Sequence, residues 1–328
     1  MRKGLKIVIP VAGAGTRMRP HTYAVPKALL PIAGKPVLSH ILDPLLLLNP
    51  EEVIFVIGHL GDHIVEYVQS NYLVKTSFVE QKELLGLGYA IYLALQKAEG
   101  GPVLIILGDT IARTDFKEFI KSGSNVIGLK KVTDPRRFGV AVVEEARVLA
   151  LEEKPQNPKS DLALVGLYYF EKSEILREHL AEIVAEGRKT SGEIQLTDAL
   201  EAMIVDGCGF TPFVVDGWYD CGNRENFIET NRLLLTESNL SADYPGSIII
   251  PPVHIAESAI IEESIIGPYV SVSDNARINR SIIRDSIIGK RAHVEFSLLE
   301  QSLVGEKATV RGTFSHINIA KYAEIGNF

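Results

Sequence analysis

The sequence predicts an α/β protein: a Rossmann-like, doubly wound mixed sheet followed by a left-handed parallel β-helix. Three observations lead there. Short apolar runs that end in Gly or Asp alternate with segments of helical period over the first two thirds of the chain. Near "SNLSADYPGS", residues 238–247, that alternation gives way to an apolar residue at every fifth or sixth position. Two blocks of the tail, "SIIRDSIIGKRAHVE" and "SLLEQSLVGEKATVR", align with a shift of sixteen residues. We therefore expect two domains, the first over residues 1–240 and a hexapeptide-repeat β-helix over 245–328.

The elements follow in order. "KIVIPV", residues 6–11, is an apolar run feeding a Gly loop and reads as a buried first strand. "PVLSHILDPLLLL" reads as a helix with Pro36 in its first turn and Pro44 as a point where it can break. "EVIFVIG" is a second buried strand, "GDHIVEYVQSNY" a helix, "TSFVEQ" a strand, "GLGYAIYLALQKA" a helix and "PVLIILGD" a strand. Three strand-like runs come next, "NVIGLKKV", "FGVAVVEE" and "LALVGLYYF", then helices from Ser173 and near Thr197. "FTPFVVDGWYD" reads as one strand and "NRENFIETNRLLLTES" as a helix. In the tail, Ile255, Ile261, Ile266, Val272, Ile278, Ile283, Ile288, Val294, Leu299, Val304 and Val310 mark the steps. Three steps make one coil, so each apolar side chain stacks beneath its equivalent one coil later; roughly four coils fit.

Composition narrows the function. The chain has 328 residues, 46% of them hydrophobic, which is enough for a sizeable core. A formal charge of −7 argues against a general affinity for nucleic acid or anionic membrane and leaves room for a local basic pocket. No apolar run approaches the ~20 residues of a spanning helix. "MRKGLKIVIPVAG" reads as a strand entering a loop rather than a secretory leader. Cys208 and Cys221 fit no metal or redox spacing. A cytoplasmic protein without nucleic-acid or membrane partners is expected.

The most informative stretch is "PVAGAGTRMRPHTYAVPKALLPIAGKPVL", residues 10–38. It follows the first strand, at the sheet edge where doubly wound folds bind ligands. Gly13 and Gly15 let backbone N–H groups approach phosphate oxygens. Arg17 can fork onto phosphate, and Lys27 supplies a point charge. The stretch is neither a Walker loop nor a dinucleotide fingerprint, because GxxxxGK[ST] and the third Gly are both missing. By itself, Gly-x-Gly-Thr-Arg is also what a tight turn looks like.

"AGAGTRMRPHTYAVPKALLPIAGKP" resembles the signature of the sugar-1-phosphate nucleotidylyltransferases. The resemblance continues in order through "EQKELLGLGYAI", "LGDT", "FGVAVVEE", "LEEKP", "LALVGLYYF", "GEIQLTD" and "WYDCGN", over about residues 5–236. With the β-helical tail, the layout is similar to the long-form, glucose-1-phosphate thymidylyltransferase-like branch. The resemblance implies a nucleotide-diphospho-sugar transferase fold and transfer of a nucleotidyl group from dTTP, or UTP, to a sugar-1-phosphate, with glucose-1-phosphate the expected acceptor and a UTP- or GTP-specific enzyme the alternative. It implies that Ala12, Gly13, Gly15 and Thr16 cradle the triphosphate, Arg17 holds the departing β,γ-phosphates, and Lys27 holds the α-phosphate or the sugar phosphate. Gln81 would read the pyrimidine, with Gly86 and Gly88 against base and ribose. Asp109 and Asp220, each closing an apolar strand, would hold Mg²⁺. Lys154 would contact the sugar phosphate and Glu153 the sugar hydroxyls. Gly139, Gly166, Glu193 and Trp218 are further sugar-site candidates.

Several of these residues have plain structural readings as well. Asp109 and Asp220 can cap turns, Glu153 and Lys154 can form a solvated face, Gln81 can be an exposed strand end, and Trp218 a core aromatic. Two departures from the family pattern stand out. Cys221 replaces the Thr of Asp-Thr-Gly, and its thiol is expected to pack. Asp161 sits where Asn is common, so it either points away from the sugar phosphate or alters sugar preference. A homo-oligomer is expected, with the tail as scaffold. The rival readings are an acyltransferase site on the β-helix using His254, His293 or His316, and a non-catalytic sugar-nucleotide sensor.

Overall fold

The computed structural model describes residues 4–236 and 244–312. The chain divides into two compact units. The first comprises the described residues up to Leu30 together with Lys35–Thr230; the second comprises Pro31–Gly34 and the described residues from Asn231 onward. The break expected between residues 240 and 245 falls almost wholly on residues 237–243, outside the described ones.

The first unit is built on a nine-stranded mixed sheet. Its strands are β1 (Lys6–Pro10), β2 (Glu52–Ile57), β3 (Thr76–Glu80) and β4 (Val103–Ile106). A short β5 (Thr110–Arg113) lies outside that sheet. The sheet continues with β6 (Asn125–Lys131), β7 (Gly139–Glu144), β8 (Arg147–Glu153), β9 (Leu162–Phe170) and β10 (Thr211–Val214). A last strand, β11 (Gly217–Asp220), pairs with β5 instead. The order is β8-β7-β9-β4-β1-β2-β3, with β6 beside β9 and β10 beside β6. β1, β2, β3 and β4 are parallel, and β9 runs antiparallel to β4 and β6. Four carboxyl ends therefore open on one edge, and the segments leaving them carry residues 11–30, Gly58, Gln81 and Asp109.

The helices are α1 (Val37–Leu46), α2 (Gly61–Asn71), α3 (Leu87–Ala98), α4 (Phe116–Lys121), α5 (Ser173–Glu186), α6 (Leu196–Val205) and α7 (Arg224–Thr236). Apolar faces of α3, α5 and α6 join Val8, Ile54, Val103 and Ile105 of the sheet in one buried cluster. Burial of that area is the main source of the fold's stability. Pro44 does not break α1, which runs through it to Leu46. Its ring costs one helical hydrogen bond, and the burial of Ile41, Leu42 and Leu45 around it offsets that loss.

Three sequence readings change. "FTPFVVDGWYD" is two strands in two sheets, β10 and β11, separated at Val215–Asp216. "RVLALEE" is a strand, β8, hairpinned onto β7. Thr110–Arg113 is a strand too, where only the preceding Asp109 drew attention. β5, β10 and β11 are four residues each and β8 is charged at both ends, so their partners rather than their own period decide them.

In the second unit, twelve short strands stack into three four-stranded parallel sheets, as in a left-handed β-helix. Ile261, Ile278, Val294 and Val310 form one column; Ile266, Ile283 and Leu299 a second; Ile255, Val272, Ile288 and Val304 a third. These are the eleven positions the sequence singles out, and they line the interior together. Coil length is 17 residues from Ile265 to Ile282 and 16 from Ile282 to Leu298.

Candidate active site

The loop after β1 folds back on itself. Gly15, at φ 59°, leads into a 3₁₀ turn over Thr16–Met18. A Cβ there would lie 2.9 Å from Thr22 Cγ2 and 3.1 Å from Lys27 Cβ, so only glycine fits. Thr22 Oγ1 donates to the Gly15 carbonyl at 2.8 Å and pins the bend. Met18 and Ala12 are buried anchors, which leaves Gly13, Thr16 and Arg17 exposed. A Cβ on Gly13 would meet nothing within 4 Å, so packing does not demand glycine there, whereas a ligand lying on the backbone would.

Lys27 begins the third 3₁₀ turn of this loop, and its Nζ stands 2.6 Å from Asp109 Oδ2. Asp109 follows β4, and Asp220 ends β11. The antiparallel β5–β11 ladder pairs Asp220 with Thr110, and the Cys221 N–H donates to the Asp109 carbonyl at 2.9 Å. Lys27, Asp109 and Asp220 all act on the Cys221 thiol. Burial pushes that thiol up, Asp109 and Asp220 push it further, and Lys27 opposes them. The thiol is fully buried, as expected of a packing residue. Asp220 Oδ1 accepts the Gly222 N–H at 2.7 Å, and its Oδ2 accepts Asn226 Nδ2 at 2.7 Å.

A second group gathers where β8 ends. Thr197 Oγ1 donates to Glu153 Oε2 at 2.8 Å, and Lys154 Nζ stands 3.3 Å from Glu153 Oε1. A Cβ on Gly139 would come 3.1 Å from Glu153 Oε2. Lys154 holds φ 44°, an unfavourable region for a residue with a side chain, and its N–H donates to the Phe138 carbonyl. The Phe138 ring meets Trp218 edge-on at 4.8 Å, and Trp218 Nε1 is buried without a hydrogen-bond partner among the described residues. Gly166, at φ 80°, lies inside the register break of β9 and packs against Leu107. β9 keeps β6 along one edge on both sides of that break, while its other edge pairs with β7 before the break and with β4 after it.

A third group forms around Gln81, which is buried rather than an exposed strand end. Its Nε2 donates to the Gly86 carbonyl at 3.2 Å. A Cβ on Gly86 would come 2.8 Å from Glu193 Cβ, so the exposed Glu193 stands beside this group. Gly88 N–H donates to the Ile194 carbonyl. Asp161 is paired with Lys131 at 3.0 Å, so its charge has a partner on β6.

Four residues were not singled out from sequence. Thr22 and Thr197 lie inside the quoted motifs. Phe138 heads "FGVAVVEE". Asn226 shows only a helix-start spacing, three residues after the capping Asn223. Among the described residues no three His, Cys, Asp or Glu side chains form a closed metal cage, so an ion here would rest on Asp109, Asp220 and substrate oxygens. Also among the described residues, no helix is long and apolar enough to cross a membrane. His254 and His293 stand on different β-helix sheets, and His316 lies outside the described residues.

A model of the nucleotidyl transferase family matches residues 6–237. A glucose-1-phosphate thymidylyltransferase of Streptomyces griseus is 31% identical, over 93% of each chain. A bifunctional protein GlmU of Methanocaldococcus jannaschii is 32% identical over 91% of this chain and 77% of its own. Among solved structures, a UDP-glucose pyrophosphorylase complexed with UDP-glucose superposes with a TM-score of 0.62 at 26% identity, covering 73% of this chain and 100% of that one.

Proposed function

Because the chain belongs to the nucleotidyl transferase family, we propose that it joins dTTP to glucose-1-phosphate, releasing pyrophosphate, with UTP as the competing donor. The sugar-phosphate oxygen attacks the α-phosphorus, and the bond to the β-phosphate oxygen breaks with its electron pair. The nucleophile is already an anion, so no general base is required. What the protein must supply is a way to bring two polyanions together and hold the charge that builds on the phosphoryl oxygens.

The observation that carries this reading is the convergence of Lys27 and Asp109, 2.6 Å apart, with Asp220 one ladder step away. Lys27 Nζ has three donors, one of them on Asp109, so others remain for phosphate. Exposed Arg17 and the Gly13–Thr16 backbone would take the β,γ-phosphates. Two hard carboxylates, one in the turn before β5 and one at the end of β11, suit Mg²⁺ completed by water and phosphate oxygens. When bound, that ion would supply charge neutralisation at the α-phosphate. Gln81, with its amide orientation set by Gly86, can pair with one carbonyl and the ring N–H of a pyrimidine. Glu153 and Lys154 would hold the sugar and its phosphate, with Gly139, Gly166 and Trp218 bordering them. Glu193, in contact with Gly86, would border the nucleotide side. The free cysteines agree with a cytoplasmic enzyme, and we retain homo-oligomerisation through the tail as part of the proposal.

Relatives named bifunctional leave room for a second activity, and the second reading is acyl transfer on the β-helix. Against it, His254 and His293 share no sheet. The test is a matrix of five nucleoside triphosphates against several sugar-1-phosphates with Mg²⁺, read by pyrophosphate release, plus acetyl-CoA with an amino-sugar phosphate. We expect release with dTTP or UTP and glucose-1-phosphate and no acetyl transfer. Silence across the matrix would end the proposal.

A further inference from the structure

Both carboxylates of the proposed ion site are anchored, but by different chemistry. Asp109 is neutralised by a cation, the Lys27 ammonium at 2.6 Å. Asp220 is held by two neutral donors, the Gly222 N–H on Oδ1 and the Asn226 amide on Oδ2, each at 2.7 Å. A carboxylate offers about four lone-pair sites. Two neutral hydrogen bonds fix the orientation of Asp220, leave its charge whole and leave roughly half of those sites unused.

The local structure is arranged around that grip. Asn223 accepts the Asn226 N–H at 2.9 Å and so starts α7. In a capping box the side chain of the third helical residue reaches back to the capping residue. Here the Asn226 amide is directed to Asp220 instead. A Cβ on Gly222 would lie 2.7 Å from Asp220 Oδ1, so glycine is required for its N–H to make the other bond.

We infer that Asn226 is a positioning residue for Asp220: it fixes the one carboxylate of the pair that keeps its full charge, and so makes Asp220 the first protein ligand a divalent cation meets. Asp109, whose charge is shared with Lys27, is the second ligand. The inference rests on the ion-binding reading above.

The test uses Mn²⁺ alone as probe, without nucleotide, with free ion followed by electron paramagnetic resonance on the intact chain. Variants are Asn226→Leu (near-isosteric, no donor), Asn226→Ser (a shorter donor) and Asp220→Asn. We expect Asn226→Leu to weaken Mn²⁺ binding about tenfold, as loss of an outer-shell partner does, and Asn226→Ser to recover part of it. In turnover, the Mg²⁺ concentration for half-maximal rate should rise while kcat at saturating Mg²⁺ is largely kept, with KM for the sugar phosphate unmoved. Thermal melting of each variant separates loss of fold from loss of grip, and Asn226→Ser keeps the test decisive if the leucine variant melts early. Wild-type Mn²⁺ affinity in both Asn226 variants, with affinity lost in Asp220→Asn, would overturn the positioning role and leave the ion site standing. Wild-type affinity in Asp220→Asn would overturn both.

Discussion

In the proposed reaction the chemistry turns on Lys27 and Asp109. They are 82 positions apart in sequence, and their side chains meet at 2.6 Å. Asp109→Ala removes the ammonium's partner and half of the proposed ion site. Pyrophosphate release should fall at least about a hundredfold, the range seen when a group facing developing charge is removed; near-normal release would refute the assignment. Thr197 is a subtler case. Its hydroxyl holds Glu153 at 2.8 Å. Thr197→Val keeps the shape and removes the donor, a loss of about 1.5–3 kcal/mol for a bond to a charged group. KM for the sugar phosphate should rise about tenfold or more, with KM for dTTP unchanged. Equal rises in both constants would point to a general disturbance of α6 instead.

At the scale of elements, the first unit shows why a motif can be legible while its frame is not. The parallel strands β1, β2 and β4 hold continuous apolar runs, and such runs announce themselves. β5 and β11 are four residues each, half polar, and exist because they pair with one another. Their ladder sets the spacing of Asp109 and Asp220, so the least legible strands position the metal candidates. The β-helix makes a second case. Ser264 and Ser281 each donate to a carbonyl two residues back and accept the N–H of the equivalent serine one coil on, at 3.1 Å. Ser281→Ala would leave the buried Ser297 N–H without its acceptor, a cost of about 1–3 kcal/mol. Urea unfolding should report that loss, and an unchanged midpoint would show that another acceptor takes over.

Over the whole molecule, every candidate catalytic or binding residue from Ala12 to Asp220 belongs to the first unit. His293→Ala, an exposed change on the β-helix, should therefore leave pyrophosphate release within about twofold of wild type, the small effect typical of surface sites. A large loss would show that the tail takes part in nucleotidyl transfer.

What the sequence determined alone was whatever is written in local period and local chemistry: apolar strands that end at a ligand edge, a glycine bend followed by Arg17 and Lys27, and an apolar step of five or six residues that closes into coils. What only the tertiary structure decided was which groups meet: Lys27 with Asp109, Thr197 with Glu153, Asn226 with Asp220, Gln81 with Gly86. The reason is physical. A strand or coil is selected by the burial of its own side chains, which a short window of sequence displays. A hydrogen bond or ion pair between distant residues depends on register and loop closure, and those are settled only when the whole sheet packs.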